Sequence, residues 1–130
     1  MTRRELAELC LAFPDSYEDA PFHDPNWTVI RHRSNRKCFA MIYERGGNLC
    51  INLKCDPMRA DFLCKVYEGI DPGYHMNKQH WITVIPDSDV PLDELYDILR
   101  ESIHDGTRLI LNADDPLVSC FGDGREDTVW

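Results

Sequence analysis

The chain has 130 residues, of which 43% are hydrophobic and 28% charged, so it holds enough apolar side chains for one folded domain of ordinary size. Its formal net charge of -9 excludes non-specific attraction to nucleic acid or an anionic membrane unless a local basic patch exists. The start lacks a signal-peptide core and no run approaches the roughly 20 apolar residues that span a bilayer. We therefore expect a cytoplasmic protein without a membrane partner.

The first predicted element is a helix over about residues 3–13. Thr2 and Glu5 have the spacing of a capping box, and apolar residues then recur at helical spacing until Pro14. Residues 15–26 contain two prolines and several acidic residues without periodicity. This composition predicts an irregular connection over the surface.

Three antiparallel strands are predicted over residues 27–55, where β-branched and aromatic runs are separated by the turn sequences SN and GGN. In the third strand, LCINLKC, alternation points Ile51 and Leu53 to one face and Asn52 and Lys54 to the other. We expect the apolar set to face the helices. Asn52 and Lys54 are then expected on an open face.

Two more helices and a short strand follow. Asp56 and Pro57 are typical of a helix start, and HWITVIP predicts a strand before the last helix. The apolar stripe predicted for the second helix consists of Met58, Phe62, Leu63, Val66 and Tyr67. The stripe predicted for the third helix consists of Leu92, Leu95, Tyr96, Leu99 and Ile103. The fold class is therefore α+β, an antiparallel sheet with helices packed on one face.

Six cysteines show no CxxC pair and no secretory context, which predicts reduced thiols that serve mostly as small core residues. The last residues, 113–130, carry five acidic side chains and one Arg, and are interpreted as an acidic tail.

Positive charge is concentrated over residues 27–55, which have a local net charge of +5. The charged residues of this segment are Arg31, Arg33, Arg36, Lys37, Arg45, Lys54 and a single acid, Glu44. Such polarity can steer a polyanion onto one face of an acidic molecule. Alternatively, Arg33, Arg36 and Lys37 only solubilise a hairpin tip and protect an edge strand.

A second polar segment, PGYHMNKQHW, mixes hydrogen-bond donors, a cation and aromatic rings. Its members are Tyr74, His75, Asn77, Lys78, His80 and Trp81. These side chains are suited to contacting phosphates and bases. They are equally suited to a structured loop in which they satisfy backbone groups.

Two motifs, NLKCDP (residues 52–57) and PGYHMNKQHW (residues 72–81), resemble the bacterial YjbR or MmcQ-like family. The first helix and PFHDPNWTV are also similar, so the resemblance covers a domain over about residues 1–112. It implies a compact fold similar to the frataxin superfamily, with a double-wing arrangement that has led the family to be described as DNA-binding.

Metal and enzyme sites have weaker signals. The acidic groups are Asp15, Glu18, Asp19 and Asp24, and Asp93, Glu94 and Asp97. They would suit a hard cation, as the frataxin-like resemblance suggests, but such residues usually form a solvated face. Cys55 and His75 are the one candidate nucleophile and base, without a phosphate loop or hydrolase motif. We expect no metal, no cofactor and no catalysis.

The sequence therefore predicts a protein that binds DNA or another nucleic acid on the open sheet face. The predicted contact residues are Arg33, Arg36, Lys37, Asn52, Lys54, His75, Asn77, Lys78, His80 and Trp81. The alternatives are a protein-interaction module, in which acidic helices face a basic partner, and a weak metal-binding domain. The sequence does not define the oligomeric state.

Overall fold

The computed structural model describes the backbone of residues 1–111 and the side chains of residues 1–104, so the predicted tail at 113–130 lies outside the described residues. The three helices are α1 (Arg3–Leu11), α2 (Pro57–Val66) and α3 (Leu92–Leu111). The six strands are β1 (Ser16–Asp19), β2 (Thr28–His32), β3 (Cys38–Arg45), β4 (Asn48–Lys54), β5 (Ile70–Pro72) and β6 (Trp81–Val84).

The strands form one antiparallel sheet in the order β1-β2-β3-β4-β6-β5. Apolar residues from all three helices pack on one face of this sheet, where Leu6, Leu63 and Leu99 share a buried cluster with Ile51 and Leu53. This arrangement confirms the predicted α+β class with helices on one face.

The helix starts were well marked in the sequence. The Thr2 hydroxyl accepts a hydrogen bond from the Glu5 amide at 3.1 Å, and the Thr2 amide donates to the Glu5 carboxylate at 2.8 Å, which completes a capping box. At α2, the Asp56 carboxylate accepts from the Arg59 amide at 3.2 Å, and Pro57 is the first helical residue. The first helix ends at Leu11, slightly earlier than predicted.

Two short edge strands were not predicted. The stretch expected to be irregular contains β1, which pairs along its whole length with β2. At the other edge, β5 pairs with β6. Strands of three or four residues carry too little alternation to be recognised, and their pairing depends on the neighbouring strand.

The predicted apolar stripe of α2 is wrong at three positions. Met58, Phe62 and Val66 are 83%, 57% and 49% exposed, whereas Ala60 and Leu63 are buried against the sheet. The small side chain of Ala60 allows the helix to approach the sheet on that side. The true core face of α2 is therefore turned away from its largest apolar residues.

The third helix keeps most of its predicted core face. Leu95 and Leu99 are buried as expected, and Ile98 joins them, while Leu92 and Tyr96 are 60% and 39% exposed.

The second face of the sheet is not open. Asn52 and Lys54 do lie opposite the helices, as alternation predicted, but both side chains are fully buried. A loop of residues 73–80, here called the cover loop, and the segment of residues 20–27 pack over this face; Met76 and Trp27 contact its apolar cluster. The expectation of an open face is therefore wrong, because alternation fixes a side chain's direction and not what covers it.

No disulfide joins the cysteines of residues 1–111. Within that same range, no helix is both long and apolar enough to cross a membrane.

Candidate functional site

Asn52 fixes the cover loop to the sheet. Its side-chain oxygen accepts hydrogen bonds from the Tyr43 hydroxyl at 2.8 Å and the Thr83 hydroxyl at 2.7 Å. Its side-chain nitrogen donates to the backbone carbonyl of Tyr74 at 2.9 Å. Burial raises the pKa of Tyr43 to about 12, which keeps the phenol protonated and able to donate. Asn52 is thus a structural anchor, fully withdrawn from solvent.

Contacts between aromatic rings also hold the cover loop in place. Trp27 stacks on Tyr43 with ring centroids 4.4 Å apart and lies nearly parallel to Tyr74 at 6.3 Å. The Arg45 guanidinium lies 3.9 Å from the centre of the Tyr74 ring, and the His75 ring lies 4.0 Å from it. These contacts use the aromatic faces that a nucleic-acid base would otherwise occupy.

Polar residues of the cover loop mostly bond within the loop. The Lys78 ammonium donates to the Gly73 carbonyl at 2.8 Å, and the Asn77 side chain accepts from the Gln79 amide at 2.9 Å. The His80 backbone carbonyl accepts from the Cys55 amide at 2.8 Å. Trp81 is fully buried beneath the loop, so it offers no ring to a ligand.

An arginine-rich cavity lies at the β1 edge of the sheet, along β1, β2 and the turn that joins β2 to β3. It has a volume of about 500 Å³ and is open to solvent. We call it the arginine pocket; its lining residues are Tyr17, Asp19, Arg31, Arg33 and Arg36. Its lining has three guanidinium groups and one carboxylate, so the cavity is strongly basic.

Ion pairing and stacking hold the arginines in place. The Arg31 Nε donates to the Asp19 carboxylate at 2.8 Å, and its Nη1 donates to the Arg36 carbonyl at 3.0 Å. The Arg33 guanidinium lies over the Tyr17 ring, 5.4 Å from its centroid. The Arg31 guanidinium is therefore held in place, and that of Arg33 rests on an aromatic ring, before any ligand arrives.

Asp15 fixes the turn that carries Arg33 and Arg36. Its carbonyl accepts from the Arg33 amide at 2.8 Å, and its carboxylate accepts from the Ser34 hydroxyl at 2.7 Å. Asp15 and Arg36 have φ values of 65° and 64°, a left-handed conformation that L-residues other than Asn and Asp seldom adopt. Such backbone persists where surrounding contacts impose it, as the Asp15 bonds do here.

His32 lies beneath this turn. It is 2% exposed, packs on Phe39 with ring centroids 4.8 Å apart, and has Nδ1 3.8 Å from the Asp15 carboxylate. Burial, with a smaller contribution from the charge of Lys54, lowers the pKa of His32, and Asp15 opposes the shift. His32 is thus a buried residue that is neutral near neutral pH and lies beside the carboxylate of Asp15.

The structure does not bring the ten predicted contact residues together. Arg33 and Arg36 line the pocket, and Lys37 is next to them in the chain. The buried members are Asn52, Lys54 and Trp81, and the cover-loop members are His75, Asn77, Lys78 and His80. Lys78 lines a separate cavity beside α2 and β5. In the sheet, β5 is three strand spacings, or about 14 Å, from β3.

The buried members cannot contact a ligand as predicted. Lys54 pairs with Trp81 across β4 and β6, and its ammonium lies 5.8 Å from the Trp81 ring centre. Its backbone amide donates to the Ser102 hydroxyl of α3 at 2.9 Å. The prediction of Asn52, Lys54 and Trp81 as surface contacts is therefore corrected, because the cover loop removes their face of the sheet from solvent.

Acidic residues proposed for a cation serve the fold instead. Asp15 holds the turn, Asp19 pairs with Arg31, and Glu94 pairs with Arg59 at 2.9 Å. Among the described residues, no three His, Cys, Asp or Glu side chains come together as a metal site.

Burial raises the pKa of four cysteine thiols in the described part of the chain: Cys10, Cys38, Cys50 and Cys64. Cys55 lies in the core on the helix side of the sheet, while His75 is exposed on the cover loop. Burial raises the pKa of Cys10 to about 12 and that of Cys38 to about 11, which disfavours the nucleophilic thiolate.

Comparison with known proteins places the chain among relatives. A model of the YjbR family matches residues 11–103. The chain belongs to the YjbR family. Its uncharacterised relatives include YyaQ of Bacillus subtilis (strain 168), 36% identical over 90 residues that cover 62% of this chain and 75% of YyaQ. Another is YjbR of Escherichia coli (strain K12), 29% identical over 110 residues, covering 85% of this chain and 91% of that one.

Crystal structures of two other proteins share the fold. A Pseudomonas syringae protein has a TM-score of 0.70 at 30% identity, covering 78% of this chain and 96% of its own. The Deinococcus radiodurans protein DR2400, with a DUF419 domain, has a TM-score of 0.73 at 31% identity, covering 89% and 83%. These likenesses confirm the YjbR resemblance and the fold. The frataxin-like similarity and the double-wing arrangement stay predictions.

Sequence reasoning missed Tyr17, Asp19 and Arg31 as pocket residues of this YjbR-family protein. The signal that would have found them is the alternation of SYED and TVIRH, which places Tyr17 and Asp19 on the same face as Arg31 once the two strands pair. That pairing was absent from the prediction because β1 was not recognised.

Proposed function

We propose that this YjbR-family protein binds nucleic acid, without catalysing a reaction, at the arginine pocket rather than on the sheet face. The observation that carries the proposal is the cavity of about 500 Å³ lined by Arg31, Arg33 and Arg36 with one opposing carboxylate, Asp19. Guanidinium groups match phosphate geometry through paired N–H donors. The Tyr17 ring adds an aromatic surface beside them.

Charge limits the strength of this binding. The chain has a formal net charge of -9, so the rest of the molecule repels a phosphate that approaches the arginine pocket. Within the described residues, Arg33 and Arg36 form no ion pair, whereas Arg31 is paired with Asp19. We expect affinity in the micromolar range or weaker, with two unopposed guanidinium groups supplying most of it.

Fluorescence anisotropy of labelled single-stranded and duplex oligonucleotides at about 50 mM salt tests the proposal. The Arg33→Gln/Arg36→Gln variant should bind at least about tenfold more weakly, since two phosphate contacts are lost. Arg100→Gln is the matched control, because Arg100 is an exposed arginine on α3, away from the pocket. Equal affinity of the double variant and the control would contradict the proposal.

A second candidate function is binding of a basic protein segment. A groove of about 640 Å³ beside α1 combines apolar walls with a carboxylate rim. Its lining residues are Met1, Glu5, Glu8, Leu9, Ala12, Pro86, Asp87 and Leu92. Such a groove suits an amphipathic segment with Lys or Arg flanking an apolar residue.

A synthetic Lys/Leu amphipathic peptide provides the probe for this second function. Titration calorimetry should show binding that Leu92→Lys removes, since Leu92 is 60% exposed and its replacement places a like charge against the peptide. Binding unchanged by that substitution would exclude the groove.

A further inference from the structure

We propose that the arginine pocket selects a phosphomonoester, the terminal phosphate of a nucleic-acid strand or of a free nucleotide, over the internal phosphodiesters of a strand. This inference rests on the proposed function and names the ligand group of the same site. Three properties of the pocket support it: its charge, its isolation from other exposed cations, and the fixed placement of its donors.

The charge of the pocket matches a dianion. Arg31, Arg33 and Arg36 supply three positive charges and Asp19 one negative charge. A phosphomonoester carries about 1.5 to 2 negative charges at pH 7, whereas an internal phosphodiester carries one. The electrostatic attraction to the pocket is therefore stronger for the terminal phosphate than for an internal phosphate.

The distance between the pocket and other cations disfavours contacts with several phosphates along one nucleic-acid strand. Arg45 lies at the far end of the eight-residue β3, about 23 Å from the turn. Lys78 lies on the far side of the sheet, beside α2. Arg4 on α1 is paired with Glu18 at 2.8 Å. Apart from Lys37, which follows Arg36 in the chain, these cations lie away from the pocket, so one phosphate is the expected unit of recognition.

The donors converge on one place. Arg31 is 12% exposed and held by Asp19 and the Arg36 carbonyl, so its orientation is fixed at the pocket floor. Arg33 is stacked on Tyr17, and Arg36 is held on a turn that Asp15 anchors. A fixed Arg31 guanidinium with those of Arg33 and Arg36 beside it favours a phosphate with three free oxygens over one whose oxygens are esterified on two sides.

The test compares two labelled single-stranded 10-mers of identical sequence, one with a 5′-phosphate and one with a 5′-hydroxyl. The phosphorylated strand should bind about tenfold more tightly, the gain expected for an added charge-assisted contact. Arg33→Gln/Arg36→Gln should bring the ratio of the two affinities close to one, and Arg100→Gln should leave the ratio unchanged. Urea denaturation of each variant shows whether it is folded.

Competition distinguishes the two sources of the phosphate. AMP and inorganic phosphate are tested in parallel as competitors of the phosphorylated strand. If AMP displaces the strand at concentrations where inorganic phosphate also does so, the pocket accepts free nucleotides as well as strand ends. Resistance to AMP assigns it to strand ends. Equal affinity for the two strands overturns the inference and leaves nucleic-acid binding standing. Binding of AMP without either strand overturns nucleic-acid binding, and absence of all binding overturns both.

Discussion

The side chain of Asn52 joins strand β4 to the cover loop through hydrogen bonds to Tyr43, Thr83 and the Tyr74 carbonyl. The oxygen and the nitrogen of this buried amide are both hydrogen-bonded to other polar groups of the protein. A buried hydrogen-bonding group that loses its partner costs more than the bond contributed. The position of Asn52 on the strand could be predicted from alternation, whereas its partners could not, because they come from the two neighbouring strands and from the cover loop, whose placement over the sheet alternation does not define.

Asn52→Ala should lower the free energy of unfolding by about 1 to 3 kcal/mol, since the Tyr43 and Thr83 hydroxyls lose a shared acceptor and the Tyr74 carbonyl loses its side-chain donor. Urea denaturation measures the change. Gln79→Ala, an exposed position on the same loop, should change it by less than about 0.5 kcal/mol. Similar stability of the two variants would show that Asn52 does not anchor the loop.

His32 should make stability depend on pH. Its lowered pKa means that the folded protein binds fewer protons than the unfolded chain, so stability falls as pH decreases below about 6.5, the ordinary histidine value. His32→Gln should show a smaller loss of stability between pH 7 and pH 5. Carboxylates such as Asp15 titrate in both proteins, so the difference between the two curves isolates the imidazole.

An NMR titration of the His32 ring in the unaltered protein gives the same answer independently. Its midpoint should lie below about 6.5. A midpoint at or above that value would contradict the buried, neutral histidine beneath the turn.

At the scale of single elements, α2 shows how helix periodicity can be correct and its orientation wrong. The helix begins where Asp56 and Pro57 predicted, because capping is local chemistry. The buried face is set by packing against the sheet, which selects Ala60 and Leu63 over the larger Phe62. Helical spacing alone did not identify the buried face of α2, since its exposed face also carries apolar residues.

Adjacent residues of α2 provide a matched pair for this orientation. Phe62→Ser should change the free energy of unfolding by less than about 0.5 kcal/mol, because the ring is 57% exposed. Leu63→Ala should lower it by about 2 to 5 kcal/mol, because Leu63 is fully buried. Chemical denaturation of both variants measures the difference, and an equal loss in both would mean that α2 packs with Phe62 inward.

On the scale of the whole molecule, the fold was largely predictable and the site was not. The three helices and the strands β2, β3, β4 and β6 follow from capping, periodicity and turns, all of which are local in sequence. The pocket depends on β1, whose four residues gain their conformation from pairing with β2. Sites assembled by non-local pairing give weak sequence signals, whereas the basic turn at Arg33 and Arg36 is visible as charge alone.

The polarity of the molecule remains the basis of its proposed function. The positive residues predicted as one surface divide into the arginine pocket, the buried Lys54 and the distant Lys78. The pocket keeps three guanidinium groups close together in a cavity open to solvent. Phosphate binding there should therefore involve few contacts.

Salt dependence of oligonucleotide binding tests the central claim most directly. The logarithm of the association constant should fall linearly with the logarithm of salt concentration, with a slope of about one unit for each phosphate neutralised. Arg33→Gln/Arg36→Gln should reduce the slope by about one unit, and the control Arg100→Gln should leave it unchanged. A slope that the double variant shares with the unaltered protein would place the phosphate contacts elsewhere and contradict the account.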